Sequence, residues 1–288
     1  MRKIITIFIL CTSVCYAKER LIEYAHNVYS QFGEDGIVKK IFEIIGPESK
    51  LAIEFGAWDG IHLSNTANLW ITDRSWRAVL IEGNESRYEQ LAKTAAQFNV
   101  LAVCAWVGIE KQNSLEAVLE KFNITEPIDL LSIDVDGNDF HIFNSLEKIR
   151  PRVIICEYNP TIPIHYDVFA PYCGNNNFGS SVAALARIAQ TKGYTLIALS
   201  AVNAFFVREN EFEKFSNFET DLRALNVNDG YITLVTTYDG KYALIKNEKE
   251  IYFYGVSTQM DLPLHGKIAR CDRGPTNLGF GIRPQYKV

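Results

Sequence analysis

Apolar positions along this chain switch between two periods. Over 32–45 they recur at helical spacing, at Ile37, Ile41, Ile44 and Ile45, which lays one apolar stripe along a helix. Ser30 stands before that segment as a candidate cap, and Gly46-Pro47 follows as a stop. Continuous apolar runs of strand length come next, at 51–55, 78–81, 100–103, 130–135 and 153–156. Segments 87–98 and 115–122 read as helices between them. A further amphipathic helix at 182–192 ends at Gly193, and strands at 195–199 and 204–207 follow. Strands that are apolar along their whole length are buried on both faces, and the alternating helices supply the cover. The pattern predicts an α/β fold: a doubly wound, mostly parallel, seven-stranded sheet with helices on both faces.

The rest of the chain changes character. Segment 160–178 is rich in Pro, Tyr, His and Asn and reads as a long loop over a crevice. Its aromatics and their neighbour (Tyr158, Tyr166, Phe169, Tyr172) suit stacking on a sugar or ordinary packing. Beyond Asp239, 241–245 and 250–254 alternate like a hairpin, and the tail is irregular. The expected organisation is a main domain at 18–238 and a small C-terminal β appendage at 239–288.

The first seventeen residues stand apart. Met1-Arg2-Lys3 is basic, an apolar run from Ile4 to Cys15 follows, and Tyr16-Ala17 precedes charged residues. That order is the pattern of a secretory signal peptide, and the run is shorter than the roughly 20 residues a membrane span needs. The expectation is an exported protein, periplasmic or secretory, with no stable span after signal removal; a cytoplasmic protein with an apolar first strand is the alternative. Cys104 and Cys156 sit in apolar runs and read as buried thiols, while Cys173 and Cys271 lie in loop-like sequence and could pair with each other. The composition, 48% hydrophobic and 22% charged over 288 residues, is that of a folded domain. A net charge of −5 with no Lys/Arg run argues against nucleic acid as the partner.

Candidate chemistry begins after the first strand. Leu51-Ala52-Ile53-Glu54-Phe55-Gly56-Ala57-Trp58-Asp59-Gly60 runs from strand into a glycine-containing turn, and such turns line the ligand crevice of open α/β sheets. The next strand ends in Glu82-Gly83-Asn84, where an acidic tip is placed to accept from ribose hydroxyls. The turn lacks the middle glycine of G-x-G-x-x-G, and Glu54 and Asp59 would repel a pyrophosphate. They suit a nucleoside carrying a cationic amino-acid moiety and no phosphate, which favours S-adenosylmethionine over NAD.

These residues resemble the FkbM-type methyltransferases. The resemblance rests on Tyr29-Ser30-Gln31-Phe32-Gly33-Glu34-Asp35, IEFGAWDG, LIEGN, LLSIDVDGNDFHIF and VIICEYNP in that order, then Asn203-Ala204-Phe205-Phe206-Val207. It implies a Rossmann-like, class I methyltransferase fold with S-adenosylmethionine in the crevice and a small-molecule or glycan hydroxyl as acceptor. By that similarity Glu54, Gly56, Asp59 and Gly60 line the methionine end of the donor, Glu82 its ribose, with Ala57, Asn84 and Asp134 beside them. The second acidic position of Asp134-Val135-Asp136-Gly137 departs from the glutamate many relatives carry there.

Methyl transfer asks the enzyme to align donor and acceptor and to take one proton. Asp134, Asp136, Asp139 and His141 cluster at the fourth strand's tip. Asp134 is assigned to the donor edge, Asp136 or His141 to the base, and Asp139 to the first turn of the following helix. A metal-assisted version is secondary: Glu157 and Asn159, with Asp134 or Asp136, would offer hard oxygens of the kind magnesium takes, although Asn159-Pro160 equally fits a turn. An exported protein that keeps this fold as a non-catalytic binding or glycan-interaction module is the alternative function, and buried carboxylates such as Glu54 and Glu82 argue against it.

Overall fold

The computed structural model describes residues 18–164, 166–172 and 178–226, together with strand backbone at 232–236, 242–246 and 249–254. The candidate signal at 1–17, Cys173, Cys271 and the tail beyond 254 lie outside the described residues.

The main body alternates as the apolar pattern predicts. In chain order it runs α1 (Glu34–Ile45), β1 (Leu51–Phe55), α2 (Ala67–Thr72), β2 (Arg77–Glu82), α3 (Glu85–Ala95) and β3 (Val100–Cys104). It continues through α4 (Leu115–Lys121), β4 (Leu130–Ile133), α5 (Asp139–Ser145), β5 (Val153–Glu157), α6 (Val182–Thr191), β6 (Tyr194–Leu199) and β7 (Asn203–Arg208). The strands form one sheet in the order β3-β2-β1-β4-β5-β7-β6. All neighbouring pairs are parallel except those of β7, which runs antiparallel to both β5 and β6.

Two cores sandwich the sheet. Alternate residues of each strand point to opposite faces, so Ile53 and Phe55 of β1 join α4, α5 and α6 while Ala52 joins α1, α2 and α3. The edge strand β3 is covered less, and Cys104 is exposed, contrary to the buried position expected from its apolar run. Cys156, on a central strand, is buried.

The start of α1 also differs from expectation. Ser30 does not cap the helix; Gly33 stands at that position with φ +91°. The Ser30 hydroxyl instead donates to Asp35 Oδ2 at 2.8 Å, and that carboxylate also accepts the N–H groups of Val28, Tyr29 and Ser30. Glu34 takes N–H of Phe32 on one oxygen, and Ser200 Oγ and Asn203 Nδ2 on the other. Glu34 therefore pins the chain entering α1 to the β6–β7 turn, above the carboxyl end of the sheet, while Asp35 closes the loop before the helix on itself.

Strands β8 (Ile232–Thr236), β9 (Tyr242–Lys246) and β10 (Lys249–Tyr254) form a separate antiparallel sheet in the order β10-β9-β8. The hairpin expected from alternation is β9–β10; β8, which the sequence reading counted with the main domain, pairs with it. Among the described residues, no helix is long and apolar enough to cross a membrane.

Candidate functional site

The strand order reverses between β1 and β4, and loops leaving the two halves of the sheet diverge there. That opens a crevice beyond the carboxyl ends of the strands. Here it measures about 670 Å³.

The β1 turn is built for closeness. Gly56 has φ +76°, and a Cβ there would stand 1.7 Å from the Asp134 carbonyl oxygen. Its freedom from a side chain thus lets β1 and β4 end side by side, a reason the sequence did not expose. Gly56 and Ala57 both donate to the Ile81 carbonyl and line the crevice. Glu54, 4% exposed, accepts from Ser64 Oγ at 2.5 Å, Thr66 Oγ1 at 2.6 Å and Asn65 N at 2.9 Å. Burial pushes its carboxyl above the usual range against the pull of those hydrogen bonds. Glu82 accepts the Trp58 N–H on one oxygen and the Asn84 N–H on the other. Asn84 lines the crevice and caps α3, accepting from Arg87 N.

Two residues assigned to the donor from sequence do not line the crevice. Asp59 Oδ1 accepts the N–H groups of Ile61 and His62, so its carboxylate closes its own turn. Gly60 faces Leu91 and Leu80, which a Cβ would meet at 2.8 and 3.0 Å, so it serves packing against α3.

At the β4 and β5 tips, Asp134, Asp136 and Glu157 each offer an oxygen within 4.8 Å of the others, and all three line the crevice. Burial, then the charges of Asp139, Asp136 and Glu54, pushes the Asp134 carboxyl well above its usual value. Glu157 is pushed up to about 10 by burial and then by the three aspartates. Asp139 does not reach the crevice. It accepts the N–H groups of Val135 and Gly137 within the loop it closes, and burial raises it to about 6. Asp136 is exposed with φ +57°, a left-handed conformation that aspartate tolerates better than most residues.

Two further candidates are engaged by neighbouring chain segments. His141 lies outside the crevice; its Nε2–H donates to the Ala170 carbonyl at 2.8 Å, and its ring meets Phe169 and Tyr172 edge-on. With Phe140 stacked on Phe169 at 4.1 Å, it packs against the 166–172 loop. Asn159 donates to the Phe178 carbonyl and accepts from Thr161 N and Oγ1, so its amide is engaged by the turn. Of the loop aromatics, Tyr172 reaches the crevice, while Tyr158 is buried with its hydroxyl donating to the Ser200 carbonyl.

Sequence reasoning missed several lining groups. Trp106, 72% exposed, lies across Gly83, where a Cβ would meet its indole ring at 2.4 Å. Trp58 carries the Arg87 guanidinium 5.1 Å from its ring centre. Asn203 lines the crevice beside Glu157, its direct partner in the β5–β7 register. Only Trp106 had a usable signal, an aromatic just past an apolar strand run.

Residues 109–175 match the family model described as the Methyltransferase FkbM domain. That stretch holds Asp134, Asp136 and Glu157. No curated protein matches the chain. Among solved structures, one similar chain is an S-adenosylmethionine-dependent methyltransferase from Clostridium acetobutylicum ATCC 824, at 10% identity and TM-score 0.42, covering 61% of this chain and 90% of that one. Another is the N-terminal domain of EvdMO1 with SAH bound, at 13% identity and TM-score 0.38, covering 60% and 79%. A putative caffeoyl-CoA O-methyltransferase from Staphylococcus aureus shares 13% identity at TM-score 0.40, covering 65% and 87%. Similarity at these scores carries no argument by itself, and the weight rests on the sheet order, the crevice at its switch point and the family match. Over residues 109–175, and with a ligand crevice at the switch point of an α/β sheet, the chain is similar to the FkbM methyltransferases.

Proposed function

We propose that the crevice binds S-adenosylmethionine and that the chain transfers its methyl group to a hydroxyl of a small molecule or glycan. The observation that carries the donor is the acidic lining at the switch point. Glu54, Glu82 and Asp134 face the crevice, and Arg87 is the only Lys or Arg among the described lining residues. Carboxylates would repel a pyrophosphate but favour an ammonium and a sulfonium. In this reading the donor's adenine lies against Trp106 and its ribose hydroxyls donate to Glu82. Each Glu82 oxygen accepts a single backbone N–H, which leaves lone pairs for the ribose. The methionine end lies towards Glu54 and Asp134.

The acceptor approaches from the Asp136 and Tyr172 side, where exposed rings suit a sugar face. Its oxygen attacks the methyl carbon, the C–O bond forms as the S–C bond breaks, and the sulfonium leaves as a thioether. The hydroxyl proton passes to Asp136, the exposed carboxylate of the cluster. The test is transfer of a labelled methyl group from the donor to a panel of glycans and polyols. Label in base-stable ether linkages, lost in Asp136→Asn while S-adenosylhomocysteine still binds, supports the reading. Label that appears only on amines, or none in any acceptor from a donor-binding protein, contradicts hydroxyl transfer.

A further inference from the structure

We infer that Asp134, Asp136, Glu157 and Asn203 form a binding site for one hard divalent cation at the acceptor end of the crevice. Three carboxylate oxygens no more than 4.8 Å apart share a central point at most about 2.8 Å from each, and a small side-chain adjustment brings them to the roughly 2.3–2.6 Å at which oxygens hold calcium. Carboxylates and carbonyls are the ligands that magnesium, calcium and manganese favour.

Asn203 supplies an independent pointer. It is 4% exposed, and its amide oxygen has no hydrogen-bond partner. Its Nδ2 donates to Glu34 Oε1 at 3.1 Å, and a carboxylate can only accept, so the amide cannot be turned the other way round. The oxygen is thereby directed away from Glu34. Asn203 is also the direct cross-strand partner of Glu157, so the two side chains leave the same face of the sheet as near neighbours. A buried carbonyl oxygen without a donor is uncommon in a folded protein, and beside three carboxylates a cation satisfies it. The bound ion would hold an acceptor oxygen and lower the pKa of its hydroxyl. Asp136 would give one oxygen to the ion and keep the other for the proton.

Manganese binding to the EDTA-stripped full chain, followed by electron paramagnetic resonance without donor, tests this. One tightly held ion per chain is expected, weakened at least tenfold in Glu157→Gln and in Asp136→Asn but unchanged in the remote Glu89→Gln. Asp136→Asn keeps the fold accessible because asparagine also tolerates the left-handed backbone. No bound manganese, or binding unaltered in both site variants, overturns the inference. S-adenosylhomocysteine binding to the same stripped protein separates the two readings. A donor site without manganese binding overturns only the ion site; manganese binding without a donor site leaves the ion site standing and removes the donor.

Discussion

Gly56, Trp58 and Asp136 all hold left-handed backbone, with φ of 76°, 47° and 57°, and all three border the crevice. Strain of this kind is retained where the surroundings over-determine it. Gly56 is the least replaceable, because a Cβ would collide with the Asp134 carbonyl from the neighbouring strand. Gly56→Ala is expected to destabilise the fold by about 2 kcal/mol or more, read as a lowered urea midpoint. Gly83→Ala should behave differently. The group in its way is the exposed Trp106 ring, which can swing aside. Thermal stability should change little while S-adenosylhomocysteine affinity falls severalfold; unchanged affinity would remove Trp106 from the donor wall.

At the scale of elements, the end of the sheet opposite the crevice is tied by charge. Arg152, 2% exposed, enters β5 and donates to Asp129 at 2.9 Å and to Glu211 at 2.6 Å. Asp129 also accepts the N–H groups of Glu48, Ser49 and Lys50 ahead of β1. Removing one partner strands buried charge, so Arg152→Ala should cost about 3–5 kcal/mol in denaturant unfolding. Burial pushes Glu211 upward, but hydrogen bonds from Lys214 and Arg152 win and hold it below the usual carboxylate range. A depressed folded pKa means stability present above the unfolded value and lost as pH falls through the folded one. Glu211→Gln should therefore flatten the stability loss of the protein below about pH 4.5, measured as unfolding midpoints across acid pH. An unchanged acid slope would contradict it.

The same elements show what was legible. The apolar runs marked every strand of the large sheet, because two-sided burial leaves an uninterrupted signal. Helix α2 was missed: six residues give too little periodicity. The site was half legible. Glu54, Gly56, Ala57, Glu82, Asn84, Asp134 and Asp136 do line the crevice, since strand tips are fixed once the strands are. Asp59, Gly60, His141 and Asn159 do not, because a side chain's direction beyond the tip depends on local turns that periodicity does not encode. Asn203 was legible as the start of a strand motif but not as a site residue, since its place at the crevice comes from a register between strands 46 positions apart, Glu157 with Asn203.

For the whole molecule, rigidity and chemistry occupy opposite ends of one sheet. The Arg152 network closes the amino ends of the strands, while the carboxyl ends leave a crevice ringed with acids. The N-terminal motif is tied to that open end through Glu34, Asp35 holds the loop before the helix in shape, and Gln31 reaches the crevice. Asp35→Ala should therefore loosen the entry to α1 and weaken ligand binding together, and hydrogen exchange would show faster amides at 28–30. Protection there unchanged would separate that motif from the crevice.

S-adenosylmethionine is the ligand proposed for this crevice. Thermal unfolding of the chain with and without S-adenosylhomocysteine tests it most directly. At a hundredfold excess over the dissociation constant, ligand should add about 2.7 kcal/mol, a rise of about 5–10 °C for a domain of this size. That rise is expected in the native protein and is lost in Glu82→Ala. No rise at millimolar ligand with a folded sample, or an equal rise in Glu82→Ala, would contradict it.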